Sequence, residues 1–281
     1  MIVAFASGKG GTGKTLLSTA FAQAQARLRA VVYVDADVEE PNGHLFLHPE
    51  GGGERRFSVP LPAQVVKPCS GCGACQRACA FHAILALKGR VMVFPELCHS
   101  CGACVLVCPE GALEERPHAI GALKESPGAP VQVSGLLDVG QARSTPLVEA
   151  AVAAGIAKRA DLTVIDSPPG TSCPVMAAVR PADLVVLVTE PTPFGLHDLE
   201  LAVQMCRAMG KAVAAVINRS DLGDDAVEAF LVRAGVPLLG RIPFERAIAE
   251  SYAHGEVALE ASPALRGVIE ALARRLDGGA P

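Results

Sequence analysis

The sequence predicts a doubly wound α/β domain with a mostly parallel sheet, interrupted by a small α+β module rich in cysteine. Three observations predict it. Short apolar runs of strand type alternate with helical patterns, as βαβ units require. A glycine-rich turn, "GKGGTGKT" at 8–15, stands between the first strand and the first helix. Eight of the ten cysteines fall in two near-identical stretches, "CSGCGACQRAC" at 69–79 and "CHSCGACVLVC" at 98–108.

In chain order, "IVAFAS" is a short β-type run that ends in the glycine-rich turn, and a helical pattern follows from Lys14 to Leu28. "VVYVDAD" reads as a second buried strand ending in carboxylates. From about Pro41 the pattern breaks into Gly, Pro and polar residues, including "GGGERR", and the cysteine region then covers roughly 65–115. "RPHAIGALKESPGAP" leads out of it as a looser stretch. "STPLVEAAVAAGIAKRA" is a helix, with Thr145 as N-cap and Pro146 at the first helical position. Strands "LTVID", "DLVVLVT", "AVAAVIN" and "VPLLGRIP" alternate with helical segments near 196–209, 224–234 and 262–275. The last of these, with its apolar stripe and mixed charges, fits a helix packed on the sheet better than a basic membrane-seeking one. The α/β domain is thus expected in two parts, 1–60 and 118–281, around an insert at 61–117.

Composition narrows the function. Half of the 281 residues are hydrophobic, with no Trp and two Tyr, so aliphatic side chains must fill the core. The net charge of −4 comes without a basic block, which argues against a nucleic-acid footprint. The N-terminus lacks the pattern of a secretory signal, and no apolar stretch reaches the length of a membrane span. A cytoplasmic protein without a stable membrane anchor is expected, and there clustered cysteines serve as metal ligands rather than disulfides.

The turn at 8–15 matches G-x-x-x-x-G-K-[ST], placed after a strand and before a helix. Gly8, Gly10, Gly11 and Gly13, with Thr12 between them, let backbone N–H groups converge on phosphate oxygens, and the helix N-terminus adds positive potential. Lys14 is placed to hold the β- and γ-phosphates, and the Thr15 hydroxyl to ligate Mg²⁺. The second lysine, Lys9, makes the loop resemble the deviant Walker A motif of the MinD/ParA/Mrp and nitrogenase iron-protein ATPases. The resemblance covers about 1–60 and 130–270. It implies ATP as the nucleotide, slow hydrolysis, and a nucleotide-dependent homodimer in which Lys9 reaches the partner's nucleotide. "DADVEEPN" resembles the first switch, with Asp37 near Mg²⁺ and the attacking water, while Asp35 could be a structural carboxylate. "LTVIDSPPG" resembles Walker B and the second switch, with Asp166 on the metal through water and Gly170 near the γ-phosphate. "INRSD" resembles the adenine segment, where Asn218 would bond the base, and "RIPF" the loop beside it.

Both cysteine stretches have the spacing C-x₂-C-x₂-C-x₃-C. Over about fifty residues the region resembles a bacterial two-cluster ferredoxin, in which the fourth cysteine of each run ligates the other cluster. That resemblance assigns Cys69, Cys72, Cys75 and Cys108 to one [4Fe–4S] cluster, and Cys98, Cys101, Cys104 and Cys79 to the other. Pro109 follows the last cysteine as the pattern asks, but Ala80 follows Cys79. Zinc would favour paired C-x₂-C elements over triplets. Lys67, Arg77, Lys88 and Arg90 balance Glu96, Glu110, Glu114 and Glu115, so strong electrostatic steering of a partner is not expected. Cys173, just past the second switch, is open to three readings: an intersubunit ligand, a relay thiol, or the small buried residue that free cysteine commonly is. Cys206 reads as core, His44 and His48 as surface histidines, and His99 either as surface or as a tuner of the adjacent cluster.

Together these features point to an ATP-gated electron-transfer protein. The alternatives are a cluster carrier or assembly ATPase, and a MinD-like positioning ATPase with redox-sensing clusters. The expected partners are a second copy and a redox or cluster-acceptor protein.

Overall fold

Runs such as "IVAFA" and "LVVLVT" carry no polar residue that needs solvent until their last position, so they can be buried on both faces, as parallel strands are. In the computed structural model, residues 1–65 and 69–278 are described, and Lys67 lies outside them. The strands are β1 (Ile2–Ala6), β2 (Val31–Asp35), β3 (Gly53–Gln64), β4 (Ile84–Leu87), β5 (Arg90–Val93), β6 (Leu113–Ser126), β7 (Val131–Leu137), β8 (Leu162–Asp166), β9 (Leu184–Thr189), β10 (Ala212–Asn218) and β11 (Leu238–Ile242). They fall in two compact units, one of residues 1–54, 123–136 and 148–281, the other of residues 55–122 and 137–147.

The first unit is the α/β domain. β1 lies between β8 and β9, β2 between β8 and β7, and β10 between β9 and β11, every one of these pairs parallel. Along this unit the strand order is β11-β10-β9-β1-β8-β2-β7. The helix Lys14–Ala26 buries Leu17 and Phe21 on one face of the sheet, with the Phe21 ring 5.9 Å from that of Phe5. The helix Pro263–Leu276 buries Leu265, Val268, Ile269 and Leu272 and is capped by Ser262, whose hydroxyl accepts the Leu265 N–H at 3.1 Å. The C-terminal helix therefore packs on the domain as its pattern predicts.

Three expectations need correction. The stretch read as loose after the cysteines is mostly strand, since β6 runs to Ser126 and β7 starts at Val131. The segment around "GGGERR" leads straight into β3. Proline at 60, 62 and 117 and the charged residues at 54–56 and 114–116 hide these strands, because only part of each is buried and no continuous apolar run forms. The helix "STPLVEAAVAAGI" also begins at Thr145 itself, with the Ser144 carbonyl accepting the Leu147 N–H, so Thr145 is not its cap.

The second unit holds the cysteines and takes in more chain than 61–117. β4 and β5 form an antiparallel hairpin, with Ile84 opposite Val93. Two short helices, Ala74–Ala78 and Ala103–Leu106, each follow a glycine with φ of 73°, Gly73 and Gly102. Ile84, Leu113, Cys75 and Cys104 form its small core.

Candidate functional site

The turn after β1 needs glycine for steric reasons. Gly13 has φ of 94°, and a Cβ there would fall 2.3 Å from Asn218 Nδ2. A Cβ on Gly8 would lie 2.5 Å from the Asp198 side chain, and Gly11 has φ of 79°. Asn218, at the end of β10, is buried, and its amide nitrogen donates to the Thr12 carbonyl at 2.8 Å. Gly10, Gly11, Thr12, Gly13, Lys14 and Thr15 line a cleft of about 470 Å³, together with Asp37 and Asn218. Phe244 and Tyr252 line it as well. Tyr252 carried no sequence signal, because it reaches the cleft from a helix with no motif of its own.

Asp166 sits behind the loop, fully buried at the end of β8. It accepts from Lys14 Nζ at 2.9 Å, Thr15 Oγ1 at 2.6 Å and the Tyr33 hydroxyl at 3.1 Å. Burial is the largest influence on the Lys14 ammonium and opposes it, but the carboxylates of Asp166, Asp37 and Asp35 together outweigh it and hold the pKa above the ordinary value. The hydroxyl and the carboxylate expected to serve Mg²⁺ are therefore already together. Gly170 lies off the cleft but is tied to its floor, its N–H donating to the Ser7 carbonyl at 2.8 Å. Lys9 points to Glu190 instead, at 2.9 Å, and Glu190 also receives Arg219 at 2.6 Å.

The two switch carboxylates differ in kind. Asp35 is fully buried and accepts the N–H groups of Gly43 at 2.8 Å and Asp37 at 3.3 Å. It braces the turn after β2, which is the structural alternative. Burial and then the nearby Asp166 push its carboxyl well up. Asp37 lies at the cleft, and burial raises it to about 6 against the pull of Lys14.

In the second unit the eight cysteines fall into two sets. Cys69, Cys72, Cys75 and Cys108 line one cavity, and Cys79, Cys98, Cys101 and Cys104 line another. Each cavity thus takes three thiols from one repeat and the fourth from the other. Backbone donors repeat with the sequence. Cys69 and Cys98 Sγ each accept from the residue two ahead, Gly71 and Ser100, at 3.4 Å. Cys79 and Cys108 Sγ each accept from the residue four ahead, Ala83 and Ala112, at 3.3 Å. Such donors favour sulfur that carries negative charge. Among the described residues no three His, Cys, Asp or Glu side chains close on one point as single-ion ligands would.

Comparison with known proteins decides the family. A model described as the CobQ/CobB/MinD/ParA nucleotide binding domain matches residues 3–259. The chain belongs to the CobQ/CobB/MinD/ParA nucleotide-binding family. Over 288 residues it is 27% identical to an uncharacterized protein of Methanocaldococcus jannaschii, covering 99% of this chain and 98% of that one. The solved structure of the Pyrococcus furiosus cell division ATPase MinD superposes with a TM-score of 0.58 at 21% identity, covering 98% of each chain. A shorter match of 48 residues is 40% identical to one component of the ion-translocating oxidoreductase complex of Methanosarcina acetivorans, covering 17% of this chain and 18% of that one.

The remaining candidates fall outside the nucleotide cleft of this MinD/ParA-family domain. Cys173 is exposed at the start of the helix Cys173–Val179, which corrects the expectation of a small buried residue. Proline at the next position and the turn before it keep this end of the helix at the surface. Cys206 is fully buried, as expected. His44 and His48 are exposed, and His99 is exposed with its ring stacked 3.6 Å from that of Phe81. No helix among the described residues is long and apolar enough to cross a membrane.

Proposed function

We propose that this MinD/ParA-family protein binds and slowly hydrolyses ATP and couples that cycle to two [4Fe–4S] clusters, as an ATP-gated electron-transfer protein. The observation that carries the reading is the sorting of eight cysteines into two four-thiol cavities with crossed fourth members. Cys69, Cys72, Cys75 and Cys108 would hold one cluster and Cys79, Cys98, Cys101 and Cys104 the other, giving a ferredoxin-like module. The groups fit: each set offers four thiols, half of them braced by backbone N–H donors. Bound there, the clusters would supply one-electron transfer. The short match to a component of an oxidoreductase complex supports the same chemistry. Four cysteines per site favour permanent residence over hand-off to an acceptor.

On the nucleotide side, the N–H groups of Gly8, Gly10, Gly11, Thr12 and Gly13 would cradle the phosphates and Lys14 would neutralise them. Thr15 and Asp166 would hold Mg²⁺, and Asp37 would orient the attacking water. Gly170 is tied by its N–H to the loop, so movement there would report the γ-phosphate. Asn218 would act on the base side of the cleft through its grip on Thr12. Lys9 would leave Glu190 and reach a second copy when ATP closes a homodimer. A redox protein is the further partner.

An anaerobic redox titration followed by EPR, with and without Mg-ATP, tests the reading. Two [4Fe–4S] signals are expected, with one potential moving by about 59 mV or more, a tenfold change for one electron. Protein that takes up no iron during reconstitution would refute the cluster half of the reading. Two clusters indifferent to Mg-ATP would refute gating of potential.

A further inference from the structure

Resting on the cluster reading above, we propose that Arg143 is a positioning residue that raises the reduction potential at the Cys98–Cys101–Cys104–Cys79 site, so that the two sites are electronically unequal. The two cysteine repeats are alike in spacing, in glycine conformation and in their amide–sulfur hydrogen bonds. Arg143 breaks that likeness. It belongs to the stretch 137–147, outside both repeats but within the same compact unit.

Its Nη1 donates to Ser100 Oγ at 2.7 Å. Ser100 lies between Cys98 and Cys101, has φ of 54°, and gives its own N–H to Cys98 Sγ. The other guanidinium nitrogen, Nη2, is buried and has no hydrogen-bond partner. No carboxylate pairs with Arg143 among the described residues. A buried guanidinium N–H without an acceptor is costly unless something negative completes it. Neither Arg143 nor Ser100 lines the second cavity itself, so the guanidinium would act through Ser100 and through its field, and a cluster that gains negative charge on reduction would be stabilised more when reduced than when oxidised.

Among the described residues the first repeat has no half-buried cation in the equivalent place. Gly71 occupies the position of Ser100 and offers no side chain to anchor a cation. Other charges lie near the sites: Lys88 with its backbone against Gly71, Arg77 on the Cys72 carbonyl, Glu110 on the first cavity, and Glu115 beside Gly102. These four residues are exposed, so solvent and salt screen them. Arg143, half-buried and unpaired, keeps more of its field. The electron is therefore expected to rest at the second site, with the first acting as donor to it.

Redox titration of full-length wild type, R143Q, R143K and S100A tests this. In R143Q one of the two midpoint potentials should fall by about 59 mV, a tenfold change for one electron, while the other stays put. R143K should restore most of the shift, because it returns the charge. With Cys101→Ala, which disables the second site, R143Q should leave the remaining potential unchanged. Equal movement of both potentials, or of neither, overturns the proposal. If R143Q loses iron from the second site, S100A decides: it frees the guanidinium without removing its charge, and unchanged potentials would make Arg143 a structural strut. Wild type without clusters would instead sink the reading on which the proposal rests.

Discussion

Two buried charges set the chemistry of the nucleotide loop. Lys14 and Asp166 are 8% and 0% exposed in their side chains and form one ion pair. Removing one partner strands the other in the interior. Lys14→Met should lower stability by about 3 kcal/mol in urea unfolding and abolish Mg-nucleotide binding. Adding Asp166→Asn should return much of the stability but none of the binding. Asp37 carries the opposite sign. Burial lifts its carboxyl from 3.8 to about 6, so the folded state holds a proton that the unfolded state has released between those values. Stability from this group is present below about pH 4 and is lost as pH rises through about 6. Asp37→Asn should therefore raise stability at pH 7 by about 1–2 kcal/mol, after allowing for its partial exposure, and so raise the midpoint of thermal unfolding. Hydrolysis should stop in the same variant if Asp37 orients the water. Unaltered turnover would show that another group does so.

The elements that frame these residues were legible wherever one signal dominated. β1, β2, β8, β9 and β10 are continuous apolar runs, and each follows from hydrophobicity alone. The glycine loop was legible because its motif stands between a strand and a helix, and few residues other than glycine could take φ of 94° against Asn218 at position 13. β3, β6 and β7 were not, since prolines and charges interrupt their pattern and their burial is patchy. The pairing of Cys79 with the distant triplet came from spacing and resemblance, and the cavity linings sort the same way. Cys79→Ser should therefore damage the cluster on Cys98, Cys101 and Cys104 and spare its own triplet, as judged by EPR. Loss of the other signal would reverse the assignment. The Lys9–Glu190 contact and the approach of Tyr252 were out of reach, because neither Glu190 nor Tyr252 lies in a motif.

At the scale of the whole molecule, nucleotide and cysteine chemistry sit in different compact units. Lys14→Met should leave the iron content of reconstituted protein as in wild type; loss of iron with the nucleotide would mean the units do not fold independently. Association is the other property of the whole. Lys9→Ala should keep monomer affinity for ATP while losing ATP-dependent dimerisation in sedimentation or scattering. An unchanged dimer would assign the interface to other residues. The crossed cysteines have a consequence of their own. Because each cavity borrows its fourth thiol from the other repeat, neither repeat is a self-sufficient half. Trimming from either side reaches the same cavity first, through Cys69 or through Cys108, and removing a whole repeat takes thiols from both cavities.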